Sequence, residues 1–149
     1  MRVALVTGGG SGIGRSAALE LNKIDFTVYI VGRREEELIK TSSLATNNNH
    51  KIIPIKTDIT IGSQVIALFD KIKSDHGRID LLFNNAGMGA PRVPIEDLKE
   101  EDWRKTVDVN LTGSFLCSQQ AIKLMKNQSP QGGRIVNNGS VSAHSPRPD

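Results

Sequence analysis

Thr7-Gly8-Gly9-Gly10-Ser11-Gly12-Ile13-Gly14 follows directly on the apolar run Val3-Ala4-Leu5-Val6. It leads into a stretch of helical period, with Ile13, Ala17, Leu21 and Ile24 at i, i+4, i+8 and i+11. A short β-branched run, a glycine turn and a helix make one strand–turn–helix unit. Glycines permit the tight turn and let backbone N–H groups approach an anion with no Cβ in the way. The helix beginning near Gly12 turns the positive end of its dipole on the same place. The stretch therefore predicts a pyrophosphate cradle, with Gly8, Gly10, Ser11, Gly12, Ile13 and Gly14 as its candidate residues. Gly9, Gly14, Arg15 and Ser16 also read as G-x-x-x-x-G-R-S, one substitution from the phosphate loop of ATPases. That loop needs Lys to reach the terminal phosphates, and Arg does not replace it. The only Asp placed to hold magnesium is Asp58, on the edge side, so the dinucleotide reading stands.

The pattern repeats outward from this unit. Val28-Tyr29-Ile30-Val31, Ile52-Ile53-Pro54-Ile55, Ile79 to Phe83 and Arg134-Ile135-Val136 are further short apolar runs, of the kind that suits strands buried on both faces. Between them, Leu38 and Ile39 mark a helix opened by Glu35 to Glu37, and Val65, Leu68, Phe69 and Ile72 mark another. A long helix is predicted from Leu98 to Met125, with Val107, Leu111, Phe115, Ile122 and Met125 on one face. Trp103 is expected to anchor its start, and Cys117 to pack as a small apolar side chain. Alternation of this sort predicts an α/β fold: a doubly wound, Rossmann-like parallel sheet of five strands in order 3-2-1-4-5. Pro54 has no backbone donor and belongs on an edge strand, where this order puts it. Folds of this type usually continue past a fifth strand, so residues 1–149 are expected to be one dinucleotide-binding domain lacking its C-terminal strands. Ser145 to Asp149 read as open loop.

Composition narrows the partners. Nineteen Lys and Arg against 16 Asp and Glu leave a net charge of +3, too small and too scattered for a nucleic-acid binder. No apolar run approaches the roughly 20 residues of a membrane span, and the start does not read as a signal peptide. A single cysteine excludes an internal disulfide framework, and His50, His76 and His144 show no metal spacing. A cytoplasmic setting, with no metal, nucleic acid or membrane, is the expectation.

Each predicted strand ends in polar or glycine-rich residues: Thr7 to Gly14, Gly32-Arg33-Arg34, Thr57-Asp58, Asn84-Asn85-Ala86-Gly87, and Asn137 to Ser142. Ligands of open α/β sheets bind at that rim. After the second strand an NAD site usually places an acid on the ribose hydroxyls. Here Gly32 takes that place and Arg33 and Arg34 follow. Two guanidinium groups suit a 2′-phosphate, which points to NADP rather than NAD.

In this order the motifs resemble the short-chain dehydrogenase/reductase family from Val3 to Ser142. Thr7-Gly8-x-x-x-Gly12-Ile13-Gly14 is similar to its cofactor loop, Asp58-Ile59 to its adenine-contacting pair, and Asn84-Asn85-Ala86-Gly87 to its N-N-A-G signature. Asp108 to Gly113 resembles the segment carrying the family's catalytic Asn, and Gly133 to Ser140 the strand delivering its catalytic Ser. The resemblance implies that Asp58, Ile59, Asn85, Ala86 and Gly87 contact cofactor, that Asn110 anchors a water, and that Ser140 or Ser142 bonds the substrate oxygen. It implies hydride exchange with an alcohol or carbonyl compound, proton exchange by a Tyr with a nearby Lys, and a homodimer or homotetramer. The Tyr-x-x-x-Lys motif is absent from these residues, and the sole tyrosine, Tyr29, lies inside the second strand. The chain is thus expected to stop between its Ser and its Tyr and to be inactive alone. The alternative is a non-catalytic dinucleotide-binding module.

Overall fold

The computed structural model describes residues 1–145; the loop reading of residues 146–149 lies outside them. Five parallel strands, β1 (Arg2–Thr7), β2 (Phe26–Gly32), β3 (Ile52–Lys56), β4 (Leu81–Asn84) and β5 (Arg134–Asn137), form one sheet in the order β3-β2-β1-β4-β5. This is the Rossmann-like order read from the sequence. Helices α1 (Gly12–Lys23), α2 (Glu35–Ser43), α3 (Gly62–His76), α4 (Glu100–Val107) and α5 (Gly113–Asn127) make the crossovers. Among the described residues, no helix is long and apolar enough to cross a membrane.

Side chains alternate across a strand, so each buried run feeds two cores. Val3, Leu5, Tyr29 and Val31 face α3 and α5, where they meet Val65, Phe69, Ile72, Cys117 and Ala121. Ala4, Val6, Val28 and Ile30 face the other way, onto Ala18 and Leu38 of α1 and α2. Pro54 pairs with Ile30 on the edge strand β3, where its missing donor costs no ladder bond.

Three expectations from periodicity are corrected. The stripe of α1 that meets the sheet is Gly14, Ala18 and Asn22, whereas Ile13 and Ile24 of the predicted stripe are exposed. In α5 the inward residues are Gly113, Cys117, Ala121, Leu124 and Met125, while Leu111, Phe115 and Ile122 are exposed. The cause is the same in both helices: small residues let the helix approach closely, and a Cβ at Gly113 would stand only 2.6 Å from Ile59 Cδ1. The predicted single helix from Leu98 is also divided, by a π-helical turn at Asp108–Thr112. Trp103 is exposed rather than an anchor, because α4 buries none of its residues.

Ile79 lies outside β4, since the Gln128 side chain takes up its backbone groups: Ile79 N–H donates to Oε1 at 2.8 Å and Nε2 donates to Ile79 O at 3.0 Å. Next to it, Asp80 Oδ2 accepts from Val3 N–H at 2.8 Å and from Arg78 Nε at 3.1 Å, while Arg78 Nη2 donates to Oδ1 at 2.6 Å. Burial pushes this carboxyl up, but the Arg78 guanidinium and the Val3 N–H outweigh it and hold it below its ordinary value. A carboxyl lowered on folding contributes stability that is present above its unfolded pKa and lost as pH falls through its folded one. Asp80→Asn is therefore expected to cost about 1–2 kcal/mol at pH 7. In denaturant melts below about pH 4, the variant should lose stability less steeply than the parent.

Candidate functional site

The ends of β1, β2 and β4 meet at one rim, and Thr7 closes it. Thr7 Oγ1 accepts from Asn85 N–H at 2.9 Å and Ala86 N–H at 3.0 Å, and Asn85 Nδ2 donates to Thr7 O at 3.0 Å. Gly8 N–H donates to Val31 O at 2.8 Å, which draws the glycine turn over the end of β2. Gly8 has φ +67°, and a Cβ there would approach Ala86 Cα to 3.0 Å, so both conformation and space require glycine. Gly14 answers a different demand: a Cβ would stand 2.3 Å from Gly8 O.

A cleft of about 390 Å³ opens along this rim. Gly8, Gly10 and Ser11 line it from the turn, Arg33 and Arg34 from the end of β2, Asp58 and Ile59 from the end of β3, and Asn85, Ala86 and Gly87 from the end of β4. Ten of the thirteen expected cofactor-contacting residues thus share one cavity. The remaining three do not line it: Gly12 and Ile13 are exposed at the start of α1, and Gly14 is buried beneath the turn. Gly32 and Thr57, read from the sequence as strand-end residues of the rim, also line the cleft, as do Val31, Glu37, Leu38, Met88 and Val109, for which the sequence carries no cofactor signal. Glu37 was readable only as a helix-opening acid, and Thr7 only as a polar residue at a strand end.

The two arginines keep their charge available. Among the described residues neither forms an ion pair; Arg34 Nη2 donates to Ser11 Oγ at 3.2 Å, and both side chains belong to exposed residues. Asp58 is held by a turn in which its Oδ1 accepts from Thr60 N–H at 3.0 Å and Thr60 Oγ1 at 2.7 Å.

A second cleft, of about 600 Å³, continues from the first and shares Asn85 to Met88 with it. Asn110 and Ser140 both line it, together with Asn84, Ser114, Ser118 and Asn138, whereas Ser142 does not. Asn110 sits in the π turn, and both ends of its amide are engaged. Met88 N–H donates to Oδ1 at 2.9 Å, and Nδ2 donates to Met88 O at 2.8 Å. Ser140 Oγ accepts from Ser142 N–H at 3.1 Å, and its hydroxyl donates to no acceptor among the described residues. Asn84 Nδ2 donates to Ser118 Oγ and Asn137 Oδ1, both at 2.9 Å, joining β4 to α5 and β5 below the rim.

Tyr29 is far from this chemistry. Its ring is fully buried and its hydroxyl donates to Asp75 Oδ2 at 2.5 Å. Burial, then the Asp75 hydrogen bond and charge, push its phenol well above the ordinary value, the reverse of what a proton acceptor needs. Burial likewise pushes the Cys117 thiol up to about 12, so it stays an uncharged core group. Among the described residues no three His, Cys, Asp or Glu side chains gather to hold a metal.

The residues fit a dinucleotide on structural grounds: a turn that a Cβ would fill, two guanidinium groups with no ion pair among the described residues at one end of a groove, and neutral donors at the other. Comparison with known proteins agrees. A 3beta-hydroxysteroid dehydrogenase of Mediterraneibacter gnavus is 37% identical over 141 residues, covering 95% of this chain and 50% of its own. The crystal structure of NAD+-bound xylitol dehydrogenase superposes with a TM-score of 0.91 at 30% identity, over 99% of this chain and 56% of that one. A metagenomic short-chain oxidoreductase in complex with NADP gives a TM-score of 0.90 at 27% identity, over 98% and 65%. The chain spans about half the length of the curated relatives it matches. With the family profile for short chain dehydrogenase matching residues 2–149, the chain belongs to the short-chain dehydrogenase family.

Proposed function

We propose that the protein carrying this chain is an NADP(H)-dependent oxidoreductase acting on an alcohol or its carbonyl partner. The observation that carries the cofactor choice is the pair Arg33 and Arg34, without an ion pair among the described residues and lining the cleft with Ser11, at what would be its adenosine end. The bound nicotinamide would supply or accept the hydride. The chain's own residues would do the positioning. Backbone N–H groups of the glycine turn and the start of α1 receive the pyrophosphate, and Asp58, Ile59 and Asn85 to Gly87 wall the adenosine and nucleoside contacts. Gly12, Ile13 and Gly14 would contribute through the turn and helix start they form.

At the other end, the Ser140 hydroxyl would donate a hydrogen bond to the substrate oxygen. Asn110 holds the Met88 backbone that forms the wall between the two clefts, so a water relay at residue 110 would start from its main-chain oxygen, to which Ser114 Oγ donates at 3.1 Å. Proton exchange needs a phenol near a cation, and Tyr29 is committed to Asp75. Residues 1–149 as an isolated polypeptide are therefore proposed to bind NADPH without turning over a carbonyl. The exposed Leu111, Phe115 and Ile122 of the π turn and α5 would be covered in a homodimer or homotetramer. A cytoplasmic setting suits a single, buried, unpaired cysteine.

The test is carbonyl reduction by the full-length protein with NADPH and with NADH. NADPH is expected to give the higher kcat/KM, and replacing Arg33 and Arg34 together by alanine should lower the NADPH-to-NADH ratio by roughly 10²-fold, for two lost charge-assisted contacts. NADPH binding without turnover of any alcohol or carbonyl by the full-length protein would favour a dinucleotide-binding module instead.

A further inference from the structure

We propose that Arg15 and Lys40 form a second selectivity element for the cofactor, by covering the charge of Glu37 so that a 2′-phosphate is tolerated in the cleft. This rests on the NADP(H) reading above and adds to Arg33 and Arg34 a pair of residues outside the cofactor motif.

The difficulty they address is visible in the fold. Helix α2 opens with three carboxylates, Glu35, Glu36 and Glu37, and it starts directly after the two arginines. Glu37 lines the same cleft as Arg33 and Arg34. A free carboxylate facing a ribose accepts from its hydroxyls and repels a phosphate dianion, so Glu37 alone would favour NAD(H). Each of its oxygens instead has a cation. Arg15 Nη2 lies 2.9 Å from Oε2, and Lys40 Nζ lies 2.7 Å from Oε1. The Lys40 and Arg15 bonds hold this carboxyl below its ordinary value, so it is ionised at neutral pH and its charge counts once uncovered.

Arg15 is fixed for this role. Its Nε donates to Thr41 Oγ1 at 2.9 Å and its Nη2 donates also to Gly10 O at 2.5 Å, while Thr41 Oγ1 donates to Glu37 O at 3.0 Å. One guanidinium thereby ties the glycine turn to two successive turns of α2, and its side chain is only 28% exposed. A Cβ at Gly10 would stand 3.1 Å from Glu37 Cβ, so turn and helix are already in contact where the carboxylate sits. Lys40 lies on the outer side, more exposed, and completes the neutralisation.

The experiment measures dissociation constants of NADPH and NADH for the full-length protein and for Arg15→Met, Arg15→Lys, Lys40→Met and the double variant Arg15→Met with Glu37→Gln. Uncovering one charge at this range should lower the NADPH-to-NADH affinity ratio roughly fivefold in Arg15→Met and roughly twofold in Lys40→Met, less at high salt. Arg15→Lys should keep most of the ratio, and Glu37→Gln should restore it in the Arg15→Met background. Lys40→Met changes an exposed side chain and keeps the proposal testable if Arg15→Met fails to fold. Equal weakening of both cofactors in Arg15→Met with no restoration by Glu37→Gln would mean that Arg15 only shapes the turn, and would overturn the proposal. So would an unchanged ratio in Lys40→Met. A parent protein that binds NADH more tightly than NADPH would instead sink the NADP(H) reading, which is judged on the unsubstituted ratio alone.

Discussion

Gly14→Ala is expected to destabilise the protein by about 3 kcal/mol and to weaken NADPH binding at the same position. The added Cβ would lie 2.3 Å from Gly8 O and 2.5 Å from Asn85 Nδ2, with Gly8 C at 2.8 Å. Two of those atoms are backbone, and neither side can yield cheaply. Gly8 is held by its N–H to Val31 O at 2.8 Å, and Asn85 by its bonds to Thr7. Relief requires lifting α1 away from β1 or opening the turn, and either change moves the N–H groups proposed to receive the pyrophosphate. For a chain of this size the loss corresponds to a fall in Tm of roughly 10 °C. Gly62→Ala is the matched control: nothing lies within 4 Å of its Cβ position, and its Tm should stay within about 2 °C of the parent.

Ser140→Ala carries the largest effect expected on turnover. Ser140 lines the second cleft with Asn110, and its hydroxyl oxygen accepts from Ser142 N–H. Under the proposed role its O–H donates to the substrate oxygen, and loss of one such donor typically costs about 10²–10³ in kcat. The full-length variant should show that fall with the NADPH dissociation constant changed no more than about twofold, because the Ser140 hydroxyl is assigned to the substrate oxygen and not to the cofactor. Ser142→Ala should lower kcat by no more than about threefold, since that side chain lies outside the cleft lining and supplies only its backbone N–H to Ser140. Reversed magnitudes for the two serines would transfer the catalytic assignment to Ser142.

Strand order and the convergence of polar strand ends on one rim followed from local patterns, because buried parallel strands and their glycine-rich exits are contiguous in sequence. Helix orientation did not. Counting large apolar residues put Ile13 and Ile24, and Leu111, Phe115 and Ile122, toward the sheet, yet the structure exposes them. Close packing is governed here by what is missing from a side chain, at Gly14 and Ala18 in α1 and at Gly113, Cys117 and Ala121 in α5. The site was similarly divided. Residues of the turn and strand ends were found from their own chemistry, whereas Glu37 reaches the cleft only through the placement of α2 over the end of β2. The Thr7 clamp depends on contacts 78 and 79 residues apart in the chain, for which no local signal exists. Trp103, the single tryptophan, drew attention by its size alone and is exposed.

The central claim is that one groove runs from Arg33 and Arg34 past the Thr7-closed rim to Asn110 and Ser140, and that it receives NADP(H) along its length. A crystal structure of the full-length protein with NADPH tests it most directly. The 2′-phosphate is expected between Arg33, Arg34 and Ser11, the pyrophosphate over Gly8 to Gly12, and the nicotinamide end in the cleft that Asn110 and Ser140 line. A 2′-phosphate directed away from both arginines, or a nicotinamide outside the Asn110–Ser140 cleft, would contradict it.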